Sequence, residues 1–168
     1  FAIISADGFA NPRKTSAKKN EPITVEYANR TAEGYKFVSA TANGKAIVDG
    51  KFTMPAENVT IVTKYEAIKY TVTPGTNIKT PASAVEATVN DIVDVEVSVP
   101  ADKILQSVVV TYGSGKNDNI TANVLGDKVS IQMAKYKSDI NVVATFTDIP
   151  DPDYSIISAD GFATPSKV

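Results

Sequence analysis

The sequence predicts a mostly β protein, made of tandem small β domains arranged end to end. Three observations predict it. A stretch occurs twice: Ile3-Ile4-Ser5-Ala6-Asp7-Gly8-Phe9-Ala10 returns unchanged as Ile156-Ile157-Ser158-Ala159-Asp160-Gly161-Phe162-Ala163, and Pro12 and Lys14 return as Pro165 and Lys167. A repeat at a fixed period decides architecture before any local feature does. Second, short runs rich in Val, Ile, Thr, Tyr and Phe alternate apolar with polar residues, the mark of strands with one buried face. Third, the same order of runs appears twice within one period.

In chain order, residues 1–10 read as a strand entering a turn at Asp7-Gly8, because Gly accepts the left-handed backbone. Residues 11–21 are polar and basic, with Pro at both margins, and read as a loop. Ile23-Thr24-Val25-Glu26-Tyr27 is a half-buried strand with Ile23, Val25 and Tyr27 toward the core. Tyr35 to Thr41 is the next, closed by Asn43-Gly44, the strongest short hairpin signal. Lys45 to Val48 returns, Asp49-Gly50 turns again, and Lys51 to Met54 is a short strand stopped by Pro55. Val59 to Tyr65 is a closing strand whose β-branched content disfavours helix.

The order then restarts. Tyr70-Thr71-Val72-Thr73 stands where Phe1-Ala2-Ile3-Ile4 stood, and Val93 to Val97 where Ile23 to Tyr27 stood. Ile104 to Tyr112 with Gly113-Ser114-Gly115 repeats Tyr35 to Gly44. Met133 follows its strand as Met54 does, and Ile140 to Phe146 repeats the run ending at Tyr65. The expected organisation is unit A over 1–68, a related unit B over 69–149, a Pro-rich linker over 150–153, and the start of the next unit A over 154–168, in an A-B-A-B array. Unit B is longer around Pro81 to Asn90 and Lys116 to Asn123. Ala82 to Thr88 reads as a short helix, with Thr80 as cap and Pro81 at the first position, and equally as a strand.

Composition bounds the chemistry. At 43% hydrophobic and 21% charged, the 168 residues suit a globular chain, and a net charge of −2 gives no field for nucleic acid. Arg13, Lys14, Lys18 and Lys19 form a local basic cluster that reads as a solvated turn. With no Cys and no His, zinc sites, thiol nucleophiles and a Ser-His-Asp triad are excluded. No stretch approaches the roughly 18 apolar residues of a membrane span. A Cys-free, Thr- and Val-rich chain suits an exported bacterial protein.

Gly34-Tyr35-Lys36-Phe37, followed by Phe52-Thr53-Met54-Pro55-Ala56-Glu57-Asn58-Val59-Thr60-Ile61, resembles the InlB B-repeat family and its Listeria–Bacteroides-type surface-repeat relatives, whose signature here falls in residues 34–65. The resemblance implies a small mostly β unit, β-grasp-like in that family, shown on the cell surface in long tandem arrays with spacer or adhesive roles and no catalytic residues. The residues themselves leave β-grasp and immunoglobulin-like β-sandwich both open.

Candidate sites are few. Asp148, Asp151, Asp153 and Asp7 gather near the B-to-A joint and are the candidates for an oxygen-only calcium site; no other cofactor is implied. Lys116-Asn117-Asp118-Asn119 has the look of a calcium loop without its downstream Gly and Glu spacing. Lys64 and Lys51 with Asn58 are candidates for an intramolecular isopeptide, a chemistry that needs burial. Tyr27, Tyr35 and Tyr65 read as core or half-core residues rather than a sugar platform. The duplicated stretch offers interface candidates in Ile3, Ile4, Phe9, Ile156, Ile157 and Phe162, because small β units expose unpaired edges. The expected function is a structural repeat segment of an exported bacterial surface protein, a stalk or extracellular fibre, and not an enzyme. The alternatives are an adhesin-type glycan- or protein-binding module and a phage or virion fibre protein. The expected partners are neighbouring repeats of the same chain, or further copies in a self-assembled filament.

Overall fold

A computed structural model describes residues 1–150. It is mostly β, as the alternating runs require. In the first half the strands are β1 (Ile3–Ser5), β2 (Ala10–Pro12), β3 (Pro22–Tyr27), β4 (Tyr35–Ala42), β5 (Lys45–Ala46), β6 (Lys51–Thr53) and β7 (Val59–Ala67), with a single 3-10 turn at Thr31–Glu33. They form a sheet in the order β1-β7-β4-β5 and a second in the order β2-β3-β6. β1 runs parallel to β7, with Ile3 opposite Val59; the other pairings are antiparallel.

The second half repeats this wiring. Its strands are β8 (Lys69–Pro74), β9 (Ile78–Thr80), β10 (Val85–Thr88), β11 (Ile92–Val97), β12 (Lys103–Tyr112), β13 (Lys116–Asn119), β14 (Lys128–Gln132) and β15 (Ile140–Asp148), with a four-residue helix α1 (Met133–Tyr136). The sheet orders are β10-β8-β15-β12-β13 and β14-β11-β9. β8 is parallel to β15, Val72 opposite Ile140, as β1 is to β7. With β10 set aside, every strand of one half has its counterpart in the other.

The correspondence extends to single residues. The long strand of each half carries a bulge at the same place, between Phe37 and Ser39 and between Leu105 and Ser107. Met54 N–H donates to the Glu21 carbonyl (2.9 Å), and Met133 N–H to the Asp91 carbonyl (3.1 Å). Ile68 N–H donates to the Gly34 carbonyl, and Ile149 N–H to the Asp102 carbonyl.

Each half buries its own core between its two sheets. One cluster joins Ile3, Ile23, Val25, Met54, Val59 and Ile61; the other joins Val72, Val95, Val108, Val110, Met133 and Val142, and the two share no residue. Alternation explains this: on β7, Val59 and Ile61 point inward while Thr60 and Val62 face out. Both residues of the Asn43-Gly44 turn have positive φ (48° and 79°), which is what a tight hairpin turning with the strand twist demands.

Of the two readings open for Ala82 to Thr88, the structure takes the strand and not the helix: Val85–Thr88 forms β10, antiparallel to β8, with Val85 opposite Val72. The β-branched Val85 and Thr88 and the buried Ala87 suit a pleated edge. Thr80 does not cap a helix; it pairs with Glu96, and the Thr80–Pro81 peptide is cis.

Candidate functional site

The feature that ties the halves together is a short joint between β7 and β8, with Ile68 alone between them. The connection from β3 to β4 builds its near side. Asn29 Oδ1 accepts from Thr31 N–H (3.0 Å) and starts the 3-10 turn. Gly34 ends the turn at φ 88°, a backbone that favours glycine. A Cβ at Gly34 would stand 2.1 Å from Val89 Cγ1, so glycine is needed twice, for the turn and for the approach of the second half. Beside it Tyr35 OH donates to Asn90 Oδ1 (2.9 Å) and Lys137 Nζ to the Ala32 carbonyl (3.2 Å). Gly34 and Val89 are buried by this contact.

Above the joint lies an aromatic cluster. Tyr27 and Phe37 stack with centroids 4.2 Å apart, Phe37 meets Tyr65 edge-on at 5.7 Å, and Tyr65 meets Phe9 at 5.6 Å. The Arg30 guanidinium sits over Phe9 (4.2 Å), Tyr35 (4.8 Å) and Tyr65 (5.2 Å), where ring quadrupoles attract a cation. Glu33 Oε2 accepts from Arg30 Nη2 at 2.6 Å and holds its pKa above the ordinary guanidinium value. Burial pushes the Tyr65 and Tyr27 phenols up. Tyr65 OH donates to the Ala28 carbonyl (2.6 Å), whereas the buried Tyr27 OH has no partner. Tyr27 and Phe37 also line an open groove of about 630 Å³ with Val38, Ile47 and Val48. Phe37 is 39% exposed there.

Of the calcium candidates, the two described ones, Asp7 and Asp148, each have partners of their own. Asp7 Oδ1 accepts from Phe9 N–H and Ser5 Oγ, and Oδ2 from the N–H and Oγ of Thr63. Burial alone would raise its pKa, but these donors outweigh it and hold the carboxyl at about 2. Asp7 thus fastens the β1–β2 turn onto β7. Asp148 pairs with Lys103 in the other half. Asp151 and Asp153 lie outside the described residues, as do Ile156, Ile157 and Phe162. Among the described residues no group of three acidic side chains is set to hold a metal. Asp118, in the calcium-loop-like segment, is a β13 residue whose carboxylate accepts from Lys135 and Tyr136.

Lys51, Lys64 and Asn58 are all exposed. Asn58 Oδ1 accepts from Ala2 N–H, so the dry surroundings an isopeptide requires are missing. Ile3 points into the core, Ile4 is 55% exposed, and Phe9 packs on Tyr65. The far edge of β1 is occupied: Ile3 N–H donates to the Thr15 carbonyl and Ala17 N–H to the Phe1 carbonyl.

Sequence reasoning missed Arg30, Val89, Asn90 and Lys137. Only Gly34, standing between a polar turn and an aromatic strand, carried a signal of close approach. A scan of family models and searches of curated proteins and of solved structures find no match to this chain.

Proposed function

We propose that this chain is a structural segment of a tandem-repeat surface protein, a stalk or extracellular fibre displayed by a bacterium, in which the units are small sandwich-like β modules. The observation that carries the reading is the recurrence of one strand wiring in two consecutive halves, together with the return of residues 3–10 at 156–163. A chain that repeats one module, joining two halves through a single residue and the next through a short Pro-rich linker, is suited to length and stiffness. Nearest-neighbour contacts then set the geometry of the whole array. The likeness of residues 34–65 to bacterial surface repeats points the same way.

Electron microscopy of the full-length protein at high dilution tests this. The expected result is thin rods whose length tracks the number of repeats in one chain. Particles without a periodic rod would overturn the reading; filaments much longer than one chain would move it to a polymer that shares strands between subunits. The Tyr27–Phe37 stack and its groove favour a second reading, an adhesive module that takes a ring-shaped ligand. Binding to a glycan array that disappears in Phe37→Ala would support that reading.

A further inference from the structure

We propose that the far end of the second half is a docking surface for the leading end of another unit of the first kind, set as the observed joint is set but held by opposite charges. This rests on the tandem-array reading. The repeat wiring lets the Gly34–Val89 contact of the observed joint be traced to its counterparts. On the leading side, Thr88 N–H donates to Asp91 Oδ2 and Met133 N–H to the Asp91 carbonyl; Lys18 N–H donates to Glu21 Oε2 and Met54 N–H to the Glu21 carbonyl. Asp91 thus matches Glu21, so Val89 and Asn90 match Lys19 and Asn20. On the trailing side, Tyr35 pairs across to Ala67 and Lys103 to Asp148, so Gly34 matches Asp102. Where Gly34 touches Val89 in the observed joint, the next joint therefore places Asp102 opposite Lys19.

The surfaces at both ends fit this assignment. Asp102, Lys18 and Lys19 are exposed, and none takes part in an ion pair among the described residues, since Asp148 neutralises Lys103 and Glu21 neutralises Lys14. The trailing end also leaves Val99 41%, Ile104 45% and Ile149 49% exposed, while Ile68, the counterpart of Ile149, is half-buried at the joint. Asp102 is not among the residues with positive φ. The second joint therefore needs no glycine, and its units stand further apart by the reach of an Asp–Lys pair. The incoming unit is the one whose first residues are 154–163, a near copy of 1–10.

The test is a two-period chain in which residues 11–150 follow Ala163. Zero-length carbodiimide coupling, followed by digestion and mass spectrometry, should give an amide between Asp102 of the first period and Lys18 or Lys19 of the second. The product should be lost in a Lys18→Gln/Lys19→Gln chain. A charge exchange, Asp102→Lys in the first period with Lys19→Glu in the second, should restore it with the roles reversed; all three positions are on the surface, so the variants keep the fold. Coupling of Asp102 spread evenly over the lysines, or unchanged in the Gln variant, would overturn the proposal. Stiff rods without the cross-link would reject this joint and leave the array reading standing, whereas the absence of rods would reject the array itself.

Discussion

Asp7 shows how one side chain fixes a turn. Four donors converge on its carboxylate, and its pKa falls from 3.8 to about 2. The folded value lies below the unfolded one, so the contribution to stability is fully present above pH 3.8 and is lost as pH falls through about 2. The side chain is exposed, which discounts the effect to about 1 kcal/mol. Asp7→Ala should therefore lower the melting temperature by a few degrees at pH 7 and by much less at pH 2, and thermal melts at both values check it. Tyr27 is the opposite case. Its hydroxyl is buried without a partner, and such a group costs rather than contributes. Tyr27→Phe should leave stability unchanged or raise it by up to about 1 kcal/mol, as read from urea unfolding.

At the scale of elements, β6 and β14 are short strands each followed at once by one fully buried methionine, Met54 or Met133, that fills a separate core. Truncating a buried methionine costs about 2–5 kcal/mol through lost burial and the cavity left behind. Met54→Ala should speed amide exchange on β3 and β7 and leave β11 and β15 protected, and Met133→Ala should do the reverse. Uniform loss of protection in either variant would mean that the two cores unfold as one. The element most readily misread is β10. The residues before it, Thr80-Pro81, carry a helix start signal and its own are strand formers, and the free edge of β8 decides between them. Chain-local preference could not, because the partner strand lies elsewhere in the sequence.

For the whole molecule, the joint is the part to perturb. Gly34→Ala places a side chain on left-handed backbone and against Val89. The first costs about 1–2 kcal/mol and the second about 1–3 kcal/mol unless the halves move apart. The expected outcome is a modest loss of stability with a clear loss of orientation between the halves, seen as a broader distance distribution in small-angle X-ray scattering. An unchanged scattering curve would mean that the chain at Ile68, and not the Gly34–Val89 contact, sets the angle between them.

The sequence by itself determined the β class, the positions of the longer strands, the turns at Asp7-Gly8 and Asn43-Gly44, and the pairing of Met54 with Met133 as equivalent positions; the short strands β2, β9 and β13 were not legible in it. The legible features are local: alternation and turn dipeptides act over a few residues, and a repeat is visible by comparison alone. Tertiary structure decided that Asp7 fastens a turn onto β7, that Ile3 belongs to a core while the neighbouring edge is covered, and that Arg30 lies over three rings. It also decided that Gly34 is held by Val89, a residue far along the chain. Each of these depends on which groups a distant strand brings alongside, and no pattern within a few residues records that.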